Sequence, residues 1–411
     1  MRLYRPLAAL SIWVLSLMLW ASPIHAQVAE NPLPLLPGLE GAVDFWKQIF
    51  TRYGSNDVIF VDRNDPQKIF KILSIDDSAA GRKTIKAEID GIAQSEPSAD
   101  VKAQRGIKER FASGLALSKR YIDQMQRIFR DEGLPEEIAY LPLIESSFEL
   151  GARSTVGASG IWQFMPSTGK YFMRIGPMLD ERRDPLESTR AAAKLLKQNY
   201  NSLGNWPLAI TAYNHGREGM LRAVNEVGSS NLVDVIQRYQ GPGFGFASKN
   251  FYVELLAAID IARRSEEFFP DLQYHSPLAL DELPLERNIS MAALLKPAGI
   301  SQTEFLQWNP GLNPKARDIP GGYRIKAPTE KLSALASAYK RLAGTASAGK
   351  AAVAAASKST IEWILHHVAA GDTLYKIARN YRVTVNAIQQ ANGLNGNRIA
   401  PGQQLKIPKK A

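Results

Sequence analysis

Residues 140–171 read YLPLIESSFELGARSTVGASGIWQFMPSTGKY, and the fold and chemistry of the chain are read outward from here. Glu145 ends an apolar helical segment, one turn after Leu141, with Ile144 and Phe148 as neighbours. A carboxyl held against apolar walls has its charged form disfavoured, so its pKa rises toward neutrality. Such a group is a general acid able to donate near pH 7, as in glycoside cleavage. A solvated surface glutamate is the ordinary alternative. The run Gly157-Ala158-Ser159-Gly160-Ile161-Trp162-Gln163-Phe164-Met165-Pro166 then packs two glycines, two aromatics, an amide and a thioether into ten residues. Glycines admit a ligand close to the backbone, aromatics offer flat faces to sugar rings, and Gln163 supplies both donor and acceptor. The plainer reading is a glycine turn followed by a buried helix start. Ala212-Tyr213-Asn214 is a third element, at the end of an apolar helix, and Asn250-Phe251-Tyr252 a fourth.

Around these motifs the chain reads as helix from about 102 to 269. Residues 110–130 carry a 3.6-period stripe that includes Phe111, Leu115, Ile122, Met125 and Phe129. Gly133 stops it, Pro135 opens the next helix, and Pro142 predicts a kink. Further helices are expected over 185–203, 206–226 and 251–264. The LDERRDP loop holds Asp180 and Asp184, read as solvated. Strand signals are scarce, so an all-α domain spans 102–270. Residues 27–101, with Pro32, Pro34 and Pro37 in their lead-in, form an extension of short elements packing on it.

Composition narrows the chemistry. The 411 residues contain no cysteine, which excludes disulfides, a thiolate metal site, a thiol nucleophile and a lipidated cysteine. Five histidines make a histidine-rich metal centre improbable. A formal charge of +10 suits an acidic polymer partner. Arg2, Arg5, the apolar run 7–21, Pro23 and Ala26 give residues 1–26 the pattern of a cleavable export signal, with an uncleaved N-terminal anchor as the alternative. The run is short for a spanning helix, and no other stretch is long and apolar enough. The expected location is the periplasm or cell envelope, with no transmembrane anchor after signal cleavage and no nucleic-acid partner.

The C-terminal third repeats itself. Ser290, Leu294, Ile300, Phe305 and Asn309 match Thr373, Ile377, Val383, Ile388 and Asn392 at a constant offset, and Gly322, Ile325, Lys326 and Pro328 match Gly402, Leu405, Lys406 and Pro408. Residues 333–359, rich in Ala and Ser, read as a linker or poorly capped helix rather than core. Residues 361–408 show the order βααβ and resemble a LysM domain, a peptidoglycan and chitin binder. By that resemblance Asp372, Thr373 and Leu374, with Asn395–Ile399 opposite, form an N-acetyl-sugar groove, although Leu374 also suits plain core. His366 and His367 are adjacent on a strand and point to opposite faces. Residues 286–328 are a degenerate LysM-like module, with Asn288-Ile289-Ser290 in place of Gly-Asp-Thr and with Pro297 where a helix should run.

Glu145-Ser146, Gly157–Gly160–Gln163, Phe164-Met165-Pro166 and Ala212-Tyr213-Asn214, in that order over about 115–265, resemble the catalytic domain of lytic murein transglycosylases. The resemblance implies a mainly α architecture: a lysozyme-like all-α catalytic domain followed by small βααβ LysM modules. It implies Glu145 as sole acid and base. Ser146, Gly157, Gly160, Gln163, Met165, Tyr213, Asn214 and, with a looser motif, Tyr252 would line the saccharide cleft. Peptidoglycan glycan strands are the implied partner, without cofactor or metal. Most glycosidases need two carboxylates, and no second one sits in these motifs; Glu149 is surrounded by nothing else. The resemblance implies that Glu145 protonates the MurNAc–GlcNAc oxygen, then takes the proton of the MurNAc C6 hydroxyl, leaving a 1,6-anhydroMurNAc end. A goose-type muramidase using water and a non-catalytic glycan-binding scaffold are the alternatives.

Overall fold

The computed structural model describes residues 31–356, 363–381, 383–394 and 396–408. The expected signal, residues 1–26, lies outside them, as does Asn395. The chain forms two units, and residues 176–180 belong with 278–411 in the second.

The first unit begins with α1 (Glu40–Thr51), whose Val43, Trp46, Ile49 and Phe50 fall on one buried face. Strands β1 (Asp57–Asp62), β2 (Ile69–Ser74) and β3 (Val101–Arg105) form an antiparallel sheet in the order β2-β1-β3. Helix α2 (Ala79–Ser95) joins β2 to β3, its N-terminus capped by Ser78 Oγ, which accepts from Gly81 N at 3.0 Å. The boundary expected at 101 therefore falls inside a strand. The helices that follow are α3 (Lys108–Ser118), α4 (Ile122–Asp131), α5 (Pro142–Glu145), α6 (Pro166–Gly169), α7 (Pro185–Leu203), α8 (Trp206–His215), α9 (Arg217–Val227), α10 (Leu232–Arg238), α11 (Phe246–Arg263) and α12 (Ser265–Phe268).

Two expected helices are each broken in two. The stripe over 110–130 is interrupted between Ser118 and Ile122. The stretch 206–226 breaks at Gly216, whose φ of +88° lies where side chains are disfavoured. The kink expected at Pro142 is present: a 3-10 turn over Glu136–Tyr140 gives way to α5. α7 starts where expected, with Pro185 in its first turn and Asp184 Oδ1 accepting from Leu186 N and Glu187 N, both at 3.1 Å.

The extension packs on the helical domain. α1 lies against α11 and α3. Trp46 Nε1 donates to Asn250 Oδ1 at 2.9 Å, and Phe50 stacks on Phe111 with centroids 4.6 Å apart. Tyr252 Oη donates to the carbonyl of Pro34 at 2.8 Å.

The second unit contains two βααβ arrangements. In the first, β4 (Asp281–Pro284) pairs antiparallel with β7 (Arg324–Ala327), enclosing β5 (Ile289–Ser290), α13 (Met291–Ala298), α14 (Gln302–Trp308) and β6 (Asp318–Ile319). Its outer strand starts before residue 286, and α13 runs through Pro297 to a left-handed Gly299. Helix α15 (Thr329–Ala356) follows, and Leu335 and Ala338 are fully buried with Phe305, Tyr323 and Ile325. The first turns of the expected linker are thus core, because apolar residues three apart share one helix face. In the second arrangement β8 (Trp363–His367) pairs with β9 (Gln404–Pro408) around α16 (Leu374–Asn380) and α17 (Val385–Asn392). The mainly α architecture with small βααβ modules is as the sequence implied. No helix among the described residues is long and apolar enough to cross a membrane.

Candidate active site

α5 is a single turn, and it ends on Glu145. The backbone then leaves through Ser147 and Phe148, both left-handed, with φ of +54° and +56°. Side chains there are uncommon and cost free energy. Complete burial of Phe148 holds the turn in place. Ser146 Oγ, buried, donates to the carbonyl of Ile161 at 2.8 Å. Ser146 is therefore a strut between the Glu145 turn and the glycine-containing run, and its hydroxyl does not line a sugar site.

That run is shaped from behind. Gly160 has φ +78°, and a Cβ there would collide with the carbonyl oxygen of Arg182. Its glycine is required by packing, not by a ligand; Gly157, with φ +93°, is exposed. Arg182 Nη1 donates to the carbonyls of Gly157, at 2.9 Å, and Phe164, at 3.1 Å. The LDERRDP loop is not solvated as expected: Glu181, Arg182 and Asp184 are buried. A buried charge persists where it is paired or hydrogen-bonded, and this loop uses its charges to fix backbone.

The aromatics of the run do not offer faces to a ligand. Trp162 is fully buried, its Nε1 donating to Thr189 Oγ1 at 2.9 Å, and Phe164 is buried too. Gln163, at φ +47°, ties Nε2 to the Gly160 carbonyl at 2.7 Å. Its Oε1 has no partner among the described residues and is left as an acceptor. Met165 is exposed at the start of α6.

Tyr213, near the end of α8, donates from Oη to the carbonyl of Trp162 at 2.8 Å. Its ring lies parallel to Phe251 of α11, 7° from coplanar with centroids 6.3 Å apart. Asn214 is exposed, and its Oδ1 accepts from Ser248 Oγ at 2.8 Å. Tyr252 is fully buried, with its hydroxyl spent on Pro34. It is part of the scaffold, where a cleft residue was expected.

The hydrogen bonds Ser146–Ile161 and Tyr213–Trp162 and the Phe251–Tyr213 stack thus bring four sequence-distant motifs together beside Glu145. Glu145 is half-buried and without a hydrogen-bond or ion-pair partner among the described residues. Burial pushes its pKa up to about 8. The phenol of Tyr213 is raised well above its ordinary value by burial and then by the Glu145 charge. A carboxyl in this state holds a proton at neutral pH and can deliver it.

Two residues were missed by the sequence reading. Arg182 was passed over as part of a charged loop. Glu254, on α11, is half-buried, and its pKa is raised to about 8 by burial and by the Glu145 charge. It stands alone in FYVELLAAI, an isolated carboxyl in an apolar helix, which is the same signal that singled out Glu145. Glu149 is exposed.

In the C-terminal module Asp372 Oδ2 accepts from Ala369 N at 2.9 Å and lies 3.1 Å from His366 Nε2. These contacts, the backbone one first, lower its pKa. Thr373 Oγ1 caps α16 by accepting from Lys376 N. Leu374 is buried in the core with Ile377, Ile388, Leu405 and Ile407, so it is a packing residue and not part of a groove. Ile399 packs on the edge of the same core. His366 is half-buried and His367 exposed, on opposite faces of β8.

Comparison with known proteins agrees with these motifs. Residues 125–234 match the Transglycosylase SLT domain, and residues 366–408 match the LysM domain. Membrane-bound lytic murein transglycosylase D of Escherichia coli K12 is 29% identical over 289 residues, covering 68% of this chain and 61% of that protein. The chain thus spans about three fifths of that relative. A putative tributyltin chloride resistance protein of Alteromonas is 43% identical over 96 residues, 23% of this chain and 46% of that protein. Among solved structures, the 70 kDa soluble lytic transglycosylase of Escherichia coli aligns with a TM-score of 0.30 at 22% identity, covering 38% of this chain and 27% of that one. The chain carries a Transglycosylase SLT domain followed by a C-terminal LysM domain.

Proposed function

We propose that the chain is an exported peptidoglycan lytic transglycosylase in which Glu145 is the acid and base. The observation that carries this reading is a half-buried, unpartnered carboxyl at the end of α5 with a pKa near 8. Glu145 gives its proton to the oxygen linking MurNAc to GlcNAc as the C1–O bond breaks. The resulting carboxylate then takes the proton of the C6 hydroxyl while that oxygen attacks C1 of the same ring. The ring closes to 1,6-anhydroMurNAc, and Glu145 regains its proton. Because nucleophile and electrophile belong to one sugar, the step is intramolecular, an arrangement that can supply roughly 7–11 kcal/mol of barrier reduction. Gln163 Oε1, Met165 and Asn214 form the sugar-facing rim in this reading, and the LysM domain retains the enzyme on glycan.

The test is mass spectrometry of purified sacculi digested by the full chain. Anhydro-muramyl ends support the proposal. Reducing ends carrying the mass of water identify a goose-type muramidase instead, and undigested sacculi that retain the protein identify a binding scaffold.

A further inference from the structure

Glu254 lies on the face of α11 that carries Phe251, and the Glu145 charge acts on it. Phe251 and Glu254 are three residues apart and so share a helix face. Phe251 fixes the direction of that face by lying flat on Tyr213. Tyr213 is in turn tied to Trp162, and α11 packs directly on α5. Neither carboxyl has a hydrogen-bond or ion-pair partner among the described residues. Among the charged groups around α11 and α5, Lys47 of α1 pairs with Asp260 at 2.7 Å, Glu137 of the 3-10 turn pairs with Arg263 at 2.6 Å, Lys249 donates to Asn64 Oδ1 at 3.0 Å, and Arg110 of α3 reaches the Ser146 carbonyl at 3.5 Å. From α8 the facing titratable group is Tyr213, neutral throughout the relevant range. Among the described residues no Lys or Arg forms an ion pair with either carboxyl.

We propose that Glu254 is a positioning residue of the candidate active site, a second carboxyl that shares one proton with Glu145 and keeps an acid available beside the scissile bond. This rests on the transglycosylase reading of Glu145. Two carboxyls in a desolvated site cannot both ionise readily, and they release their protons in two macroscopic steps that belong to the pair. When the pair holds one proton, the charge of the ionised partner raises the pKa of the other carboxyl, so Glu145 stays protonated and can donate at a pH where a lone carboxyl has ionised. Glu254 itself neither gains nor loses a proton over the cycle. It differs from the base of a two-carboxylate hydrolase, which takes a proton from water.

The experiment uses the full chain as wild type, Glu254→Gln and Glu145→Gln, with folding checked by thermal melting. Side-chain carboxyls are titrated by NMR with 13C-labelled glutamate, and sacculus turnover is followed from pH 5.5 to 9.5. In the wild type the pair titrates in two separated steps. In each single variant the remaining carboxyl titrates in one step, about one pH unit or more below the upper wild-type step. The wild-type-to-Glu254→Gln turnover ratio grows about tenfold across the basic limb, since one pH unit is a tenfold change in protonation. Carboxyls that titrate at the same pH in wild type and variants overturn the proposal, as does a turnover ratio constant with pH. If the wild type cleaves no sacculi but the paired titration is seen, the transglycosylase reading fails while the shared proton stands.

Discussion

Asn309 and Asn392 make the same three hydrogen bonds, each in its own βααβ module. Asn309 Nδ2 donates to the carbonyls of Phe305 at 2.9 Å and Lys326 at 2.8 Å, and its Oδ1 accepts from Lys326 N at 2.8 Å. Asn392 Nδ2 donates to Ile388 and Lys406, both at 2.8 Å, and accepts from Lys406 N at 2.7 Å. Each asparagine stitches the end of the second helix to the last strand. The helix caps are paired in the same way, Ser290 with Thr373 and Ser301 with Thr384. The duplication read from the sequence is thus a duplication of polar anchors, kept where the Gly-Asp-Thr turn is lost.

The two anchors differ in depth, and the difference is measurable. Asn309 and Lys326 are buried, whereas the Lys406 end of the Asn392 anchor is exposed. Asn309→Ala leaves buried backbone groups unpaired and should cost about 2–3 kcal/mol. Asn392→Ala, where water replaces the lost bonds, should cost about 1 kcal/mol. Chemical denaturation followed by tryptophan fluorescence for the first module and by NMR for the second gives both values. Equal losses would contradict the assignment.

Glu145→Gln is expected to keep the fold and sacculus binding while turnover falls by about 10²–10⁴-fold, the usual contribution of general acid–base catalysis. The same substitution should change stability with a definite sign. The folded pKa, about 8, lies above the ordinary value of 4.5. The wild type therefore loses stability as pH rises from about 4.5 through 8, and the glutamine variant does not. Thermal melts should coincide near pH 4.5 and favour the variant by about 2 kcal/mol at pH 8.5. A variant no more stable than wild type at the higher pH would mean that Glu145 is solvated.

Gly160→Ala combines a left-handed backbone with a collision against the Arg182 carbonyl. Its expected cost is about 2 kcal/mol or more, with turnover falling alongside because the Gln163 loop must move. Gly157→Ala meets no backbone and should cost less, about 1 kcal/mol, from its positive φ alone. Denaturation midpoints of the two variants decide the order.

Leu374→Ala removes a buried side chain from the small LysM core, at an expected cost of about 2–4 kcal/mol. Glycan binding should be lost together with the NMR dispersion of residues 363–408. Binding lost from a module that stays folded would return Leu374 to the groove.

The motifs around Glu145 were legible because their chemistry is local: an acid at a helix end, a glycine-containing run, a Tyr–Asn pair. Their division of labour was not. Ser146, Trp162, Gly160 and Tyr252 carry the right residue types, yet each is occupied by a partner distant in sequence, respectively Ile161, Thr189, Arg182 and Pro34. Only the folded chain reveals which polar groups are already engaged. The same limit hid the LDERRDP loop, since burial of Arg182 and Asp184 depends on carbonyls and amides that composition does not show. Glu254 was legible in principle as an isolated charge in an apolar helix, but no motif surrounds it in the sequence.

The Tyr252–Pro34 hydrogen bond sets the smallest piece of this chain worth producing. A fragment trimmed to the matched domain, 125–234, discards α11 altogether, stripping Tyr213 of its stacking ring and Glu145 of its neighbouring carboxyl. One trimmed only at its front, after residue 101, keeps α11 but orphans the phenol of Tyr252 and the amide of Asn250 that receives Trp46. Workable protein for crystallisation or assay should start at about residue 31, with the proline-containing leader treated as part of the enzyme's frame.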